Sequence, residues 1–225
     1  MDDERDEDRK TLKRNTEHKK FLEMTKDLEE RPIIQELMEK IAPCEVLELG
    51  SGSGRDTVCM LESGCRVTAV DSDAESREII SRRINQEALG RFNFRHEKFE
   101  NLNLEKDKYD LVVGLYSLFF CNKTHFSDFF KKIVASLKSG GTFAGIFLGP
   151  EDDWIVQGRN VTYQTRTELL ELLRRDFVID EEKPFTEVQY DQYKIDENKK
   201  IIYDEKGNPV KKKHWHVYRV VVKKK

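Results

Sequence analysis

Apolar positions along this chain keep two rhythms, and the change between them marks where a repeating fold begins. From about Glu17 to Lys40 the helical spacing of Phe21, Leu22, Met24, Leu28, Ile33, Ile34, Leu37 and Met38 supplies one apolar face, broken at Pro32. Beyond it, short apolar runs alternate with amphipathic stretches. Cys44-Glu-Val-Leu-Glu-Leu49 reads as a strand, followed by a glycine cluster and a helix from about Arg55 to Ser63. Arg66-Val-Thr-Ala-Val-Asp71 is a second strand. Ser72 with Glu75 three residues on forms a capping box for the next helix, whose buried face is Ile79, Ile80, Ile84 and Ala88. Phe92 to Phe99 is a weaker third strand, and Tyr109-Asp-Leu-Val-Val-Gly-Leu115 a fourth whose nearly continuous apolar run suits burial on both faces.

Phe126, Phe129, Phe130, Ile133, Val134 and Leu137 then recur at helical spacing, with Gly140-Gly141 as the expected stop. Thr142 to Leu148 is a fifth strand. Thr165 and Glu168 make a second capping box before a helix carrying Leu169, Leu170, Leu172 and Leu173. A sixth strand starts at Phe177-Val-Ile, and His214 to Val222 is the seventh. Strands separated by helices imply βαβ units, a parallel sheet and right-handed crossovers, hence a three-layer α/β domain. No helix separates the last two strands, so they are expected to run antiparallel. Lys206-Gly207-Asn208-Pro209 is a turn signal within a charged hairpin insertion over 191–212. Residues 1–15 read as a disordered charged tail and 16–225 as a single domain.

Composition narrows this picture. In 225 residues, 37% are hydrophobic and 37% charged, and no apolar stretch approaches the roughly 18–20 residues that span a bilayer. The polar start cannot be a secretory signal, so a cytoplasmic location is expected. Net charge is −3, but Lys194 to Lys225 carries eleven basic residues against four acids, so the rest is acidic. That lysine-rich end reads as a solvated end rather than a nucleic-acid arm. Cys44, Cys59, Cys65 and Cys121 lack CxxC spacing and read as reduced thiols.

The sharpest chemistry lies in Val46-Leu-Glu-Leu-Gly50-Ser-Gly52-Ser-Gly54-Arg-Asp56, a strand running through three glycines into a helix. Glycine lets backbone approach a ligand closely, and a helix start offers free N–H groups. The G-x-G-x-G spacing is not the dinucleotide G-x-G-x-x-G, and no Lys-Ser or Lys-Thr follows to cradle a phosphate. Glu48, two residues before Gly50, would repel phosphate but suits a cation. Asp71 ends the next strand, where an acid accepts hydrogen bonds from ribose hydroxyls. Phe99-Glu100 supplies an apolar wall and an acceptor for an adenine edge. A nucleoside with a positive charge and no phosphate describes S-adenosylmethionine better than NAD.

On these residues the chain resembles the class I S-adenosylmethionine-dependent methyltransferases from about Ile34 to Val222. Glu48-Leu-Gly50-Ser-Gly52-Ser-Gly54 is similar to the family's first motif, Asp71 to its ribose-binding acid, and Tyr109-Asp110 to the usual opening of the fourth strand. Leu137-Lys-Ser-Gly140-Gly141-Thr142 resembles the approach to the fifth strand, with Ser139 where proline is usual. The resemblance implies a Rossmann-like seven-stranded, mostly parallel sheet in the order 3-2-1-4-5-7-6 with the last strand antiparallel, and a lid helix over 16–40. It implies cofactor contacts from Glu48, Gly50, Ser51, Gly52, Asp56, Asp71, Ser72, Phe99, Glu100 and Tyr116. Gly54-Arg-Asp-Thr57, Tyr116-Ser-Leu-Phe-Phe-Cys121 and Lys213-His-Trp-His-Val-Tyr218 resemble the small bacterial tellurite-resistance type.

The expected activity is methyl transfer to a small-molecule acceptor, with a thiol or metalloid as one class; nucleic acid and membrane are not expected partners. A sulfonium methyl is already activated, so geometry and a dry pocket do most of the work. Tyr116, His125 and His214 are candidates for a base, and none is assigned. Ser117 has no partner histidine at a recognisable spacing, which argues against a hydrolase. His214 and His216 share a strand face, yet no third ligand completes a metal set, so packing within the sheet is expected. Phe119 and Phe120 are placed at the pocket, and Trp154 and Tyr163 follow the fifth strand as substrate-facing or surface residues. A non-catalytic cofactor-binding module and a nicotinamide-dependent oxidoreductase stand as alternatives.

Overall fold

Proline sets the first boundary. A proline disfavours helical backbone in the residue before it, and Arg31 is extended (φ −75°, ψ 138°) while Pro32 opens α1 (Pro32–Ile41). The computed structural model describes residue 19, residues 22–198 and residues 200–225, so the expected tail over 1–15 lies outside the described residues. The expected helix over 16–40 is therefore two pieces: residues 22–25 are helical, and the chain leaves that helix before α1. Ile34, Leu37 and Met38 form the buried face of α1.

Two compact units divide the chain, one ending at Glu97 and the other starting at Lys98. In the first, β1 (Glu45–Leu49), β2 (Arg66–Asp71) and β3 (Phe92–His96) run parallel with β2 in the middle. β1 pairs with β2 from Glu45↔Arg66 to Leu49↔Val70, so both strands end on the same edge. α2 (Arg55–Glu62) joins them.

Three expectations need correction here. Ser72 is not a cap: α3 (Glu75–Ser81) begins later, and the Asp73 carboxylate accepts the Glu75 N–H at 2.9 Å, an Asx turn that displaces the Ser72 box. The helix expected to run on through Ala88 is interrupted, and Asn85 caps a separate α4 (Gln86–Leu89), accepting the Ala88 N–H at 2.8 Å. Ile80 and Ala88 are consequently buried, while Ile79 and Ile84 are only partly covered. The third strand stops at His96, and Phe99 falls in a 3-10 turn, Phe99–Asn101, rather than in the strand.

In the second unit, β4 (Tyr109–Gly114) and β5 (Leu137–Leu148) run parallel, with α5 (Lys123–Ser136) between them in sequence. All six helical positions from Phe126 to Leu137 are buried. α5 stops at Ser136, ahead of the expected Gly140-Gly141 stop. β5 begins at Leu137, and its pairing with β4 skips from Tyr109↔Leu137 to Leu111↔Thr142, a bulge that takes up the glycines. α6 (Asp153–Val156) and α7 (Arg166–Asp176) follow, the latter with the expected Thr165–Glu168 capping box.

β8 (Lys211–Lys224) holds this sheet together. It runs antiparallel to β5, to β6 (Phe177–Val178) and to β7 (Thr186–Tyr193). The orders β3-β2-β1 in one unit and β4-β5-β8-β6 in the other reproduce the two halves of the expected Rossmann-like order, with the expected seventh strand as β8. The expected sixth strand shrinks to two residues, and β7 is an unexpected eighth among the described residues. Bridges Ile195↔Ile201 and Tyr203↔Pro209 continue the β7–β8 hairpin through most of the charged insertion.

Candidate functional site

Backbone geometry builds the loop between β1 and α2. Gly50, Gly52 and Gly54 have φ of 78°, 52° and 78°, the left-handed region that side chains resist. A Cβ on Gly54 would stand 2.4 Å from Ile80 Cγ1, so only glycine lets α2 start this close to α3. The loop hangs from β2: the N–H groups of Gly50 and Ser51 donate to Val70 O at 2.8 and 3.2 Å. Gly52 N–H donates to Asp71 Oδ2 at 2.7 Å, and Asp73 N–H to Asp71 Oδ1 at 3.0 Å. Asp71 is thus a buried brace for the loop, with carboxylate lone pairs still open to a further donor. Ser51 is 6% exposed, and its Oγ has no hydrogen-bond partner among the described residues. A buried hydroxyl in that condition fits a ligand that supplies the missing bond.

Glu48 lies just beneath the loop, 4% exposed, with the Thr57 hydroxyl donating to its Oε2 at 2.5 Å. Burial is the main reason its carboxyl is pushed up to about 8, and the neighbouring Asp56 charge adds to it. Thr57 and Arg31 oppose that rise, and Asp71 reinforces it. Asp56, expected to touch cofactor, is instead engaged by Arg31, whose N–H donates to Oδ1 at 3.0 Å and whose guanidinium pairs with Oδ2. This buried pair ties the segment before α1 to the first turn of α2. Thr25 Oγ1 lies 2.9 Å from Ser53 Oγ, and Arg55 Nε donates to Glu29 O. Residues 22–31 therefore strap the outer side of the loop. A shallow pocket of about 320 Å³ beneath the strap is lined by Lys26, Glu29, Arg55, Cys59, Glu62 and Arg83 among others, and by none of the expected site residues. Ser72 is exposed, and its carbonyl contacts His96 Nε2 at 3.1 Å.

In the second unit, Phe99 stacks on Phe129 (centroids 4.9 Å apart), and the Glu100 carboxylate accepts the Asn122 N–H at 2.8 Å, fixing the start of α5. Tyr116 follows β4 with φ of 61°, a strained conformation for a side chain of this size. Its hydroxyl is 3.4 Å from that of Tyr190, and its ring stands edge-on to Trp215. Trp154 and Trp215 enclose the ammonium of Lys213, which is 3.5 and 3.3 Å from their ring centroids and 2.8 Å from Asp152 Oδ1. Burial moves Lys213 below the ordinary lysine range, and Asp152 opposes that shift.

Residues 46–141 match the family model of a methyltransferase domain. That match covers under half of the 225-residue chain. Its fold is similar to that of TehB from Haemophilus influenzae, with a TM-score of 0.64 at 19% identity over 87% of this chain and 62% of that one. The chain thus spans less than two thirds of that protein's length. A second similar structure is the 1,6-didemethyltoxoflavin-N1-methyltransferase of Burkholderia thailandensis, solved with 1,6-didemethyltoxoflavin and S-adenosylhomocysteine (TM-score 0.54, 23% identity, 86% of this chain and 77% of that one). YcgJ of Bacillus subtilis gives a TM-score of 0.62 at 12% identity over 85% and 97% of the two chains. At these identities the likeness is one of fold. Comparison with curated proteins finds no match.

All ten expected cofactor residues, Glu48 through Tyr116, lie inside the matched segment, residues 46–141. Within the first unit, Glu48, Gly50, Ser51, Gly52 and Asp71 come together. Asp56 and Ser72 do not join them as open ligand groups. Outside the family match, the sequence reading missed the Lys213–Trp154–Trp215 cluster, and no local signal announces it, because Asp152 and Trp154 are some 60 positions from Lys213. His214 and His216 are held within the sheet as expected, His214 by Asp191 at 2.7 Å and His216 by Glu187 at 2.9 Å, with Glu151 N–H donating to His216 Nδ1. Cys121 is buried and its thiol pushed up to about 12, chiefly by burial and then by the Glu100 charge, which suits an inert role. Phe119 is buried, while Phe120 is 60% exposed beside Trp154. Tyr163 bridges to Leu148 and carries the Lys123 ammonium over its ring, and His125 is exposed. No helix among the described residues is long and apolar enough to cross a membrane.

Proposed function

We propose that this chain is an S-adenosylmethionine-dependent methyltransferase acting on a small-molecule acceptor. The observation that carries the reading is the three-glycine loop with left-handed backbone, set between two buried acids and holding a buried hydroxyl, Ser51 Oγ, with no partner among the described residues. Asp71 has lone pairs for ribose hydroxyls, Ser51 Oγ lacks a partner, and Glu48 offers negative charge to a cation when ionised. When bound, the cofactor supplies a methyl group on a sulfonium that needs no further activation. The protein's own part is to position and to exclude water. The family match and the similar structures support the same assignment.

For the acceptor, we favour a soft anionic nucleophile, a thiolate or a reduced metalloid, which requires no general base. This choice rests on the resemblance to the tellurite-resistance type. The aromatic group of Tyr116, Trp154, Tyr190 and Trp215 stands at the carboxyl ends of β4 and β5, the side on which α/β sheets take ligands.

Titration calorimetry with S-adenosylmethionine, S-adenosylhomocysteine and NAD tests the cofactor, with binding of the first two expected and binding of NAD alone refuting the reading. Release of S-adenosylhomocysteine with a panel of thiols and metalloid oxyanions under reducing conditions tests the acceptor. Tight cofactor binding with no turnover on any small acceptor would point to a non-catalytic module.

A further inference from the structure

Two thiols meet at the amino ends of β1 and β2. Cys44 Sγ and Cys65 Sγ are 3.3 Å apart; Cys65 is buried and Cys44 partly exposed. Strand register brings them together, because Glu45 pairs in parallel with Arg66 and the two cysteines immediately precede these partners. The Arg66 N–H donates to Cys44 O at 3.0 Å, which holds the two backbones at sheet spacing there. Neighbouring strands run about 4.8 Å apart. That spacing falls within the roughly 4.4–6.8 Å between Cα atoms that a disulfide requires. Moving the sulfurs from contact to a bond of about 2.05 Å is a displacement of about 1 Å. Cys59 and Cys121 show no sulfur–sulfur contact among the described residues, and their thiols are pushed up to about 11 and about 12, in both cases chiefly by burial.

We propose that Cys44 and Cys65 are a site of reversible oxidative crosslinking, with a hydroperoxide as oxidant. The partly exposed Cys44, as thiolate, attacks the peroxide oxygen; the O–O bond breaks, and Cys44 becomes a sulfenic acid while water or an alcohol departs. Cys65 sulfur then attacks Cys44 sulfur, the S–O bond breaks, and the hydroxyl leaves as water with the Cys65 proton. Two thiols lose two electrons and two protons, and the peroxide takes up both.

The new bond closes a ring of about 20 residues that contains β1, the glycine loop and α2. Its sulfurs lie at the other end of the five-residue β1 from the loop, so the groups proposed to hold cofactor keep their places. The crosslink therefore acts on resistance to unfolding rather than on binding, and it stands apart from the methyl-transfer reading.

The test treats the full chain with hydrogen peroxide in chelator-containing buffer, followed by non-reducing peptide mapping and thermal melting. The expected result is a linked Cys44–Cys65 peptide pair, two hydrogens lighter than the separate peptides and released by a thiol reductant, with Tm raised by several degrees. Cys44→Ser, at the partly exposed position, should melt like the untreated protein and show no rise on oxidation. Sulfinic or sulfonic acid at Cys44 without the linked pair, linkage only between chains, unmodified thiols, or a linked pair with unchanged Tm each overturns the proposal.

Discussion

Glu48 offers the most discriminating experiment, because its charge depends on pH over an accessible range. With its carboxyl pushed up to about 8 by burial, Glu48 in the ligand-free protein is mostly neutral at pH 7. A sulfonium bound beside it favours the carboxylate, so binding should release a proton. On that scheme affinity for S-adenosylmethionine rises by up to tenfold per pH unit below about 8, or about 1.4 kcal/mol per unit, and levels off above it. S-adenosylhomocysteine has the same nucleoside and amino-acid ends but a neutral thioether. The ratio of the two affinities therefore isolates the charge.

Calorimetry from pH 6 to 9 should show the S-adenosylmethionine preference climbing by roughly 10–100-fold, and about one proton released near pH 7 when buffers of different ionisation enthalpy are compared. Glu48→Gln keeps the shape and should flatten the ratio. Stability should move the other way: since the folded carboxyl titrates higher than its ordinary value of 4.5, the stability it contributes is full below about 4.5 and is lost as pH rises through about 8. Without ligand, Glu48→Gln should thus gain on the native protein in urea midpoint between pH 5 and 9. A ratio of affinities that stays level across pH 6–9 would refute the placement of the cation beside Glu48.

Other consequences are more direct. Asp71→Ala removes the acceptor for Gly52 N–H and the proposed hydroxyl contacts, so cofactor affinity should fall by roughly 1–3 kcal/mol; unchanged calorimetric affinity would remove Asp71 from the site. Gly54→Ala drives a Cβ into Ile80 Cγ1 at a positive φ and should lower stability by roughly 1–3 kcal/mol in denaturant melts, and the Gly54→Ala/Ile80→Ala double variant, which removes that Cγ1, should lose less than the sum of the two single changes. Tyr116→Gly relieves a left-handed strain, so it should cut methyl transfer while losing less stability than deletion of a half-buried aromatic ring implies. A drop in Tm as large as for a typical core tyrosine would contradict strain at this position.

Much of the fold was legible because it depends on local periodicity. β1, β2 and β4 are short runs rich in Val and Leu, and α5 repeats its apolar residues at helical spacing. The failures were of a different kind. Ser72 lost its cap to Asp73 one residue later, a competition between two short polar side chains that no pattern ranks. β7, Thr186–Tyr193, alternates polar and half-buried residues at the sheet margin and lacks the apolar density of an interior strand. The convergence of the glycines with Glu48 and Asp71 was readable because a tight strand-to-helix turn with left-handed backbone dictates both residue type and spacing. The pairing of Asp56 with Arg31 was not legible, because Arg31 comes from a distant segment, and the Lys213 cluster was hidden for the same reason.

The pairing of β8 bears on how the protein reaches its native state. A ribosome makes β5, β6 and β7 before β8, yet all three pair with β8 and none is shown pairing with another of the three. Until those fourteen residues emerge, each earlier strand has a bare hydrogen-bonding edge on that side. The sheet of the second unit therefore cannot close before β8 is made, and until then its strand edges stay open to mispairing with a neighbouring nascent chain.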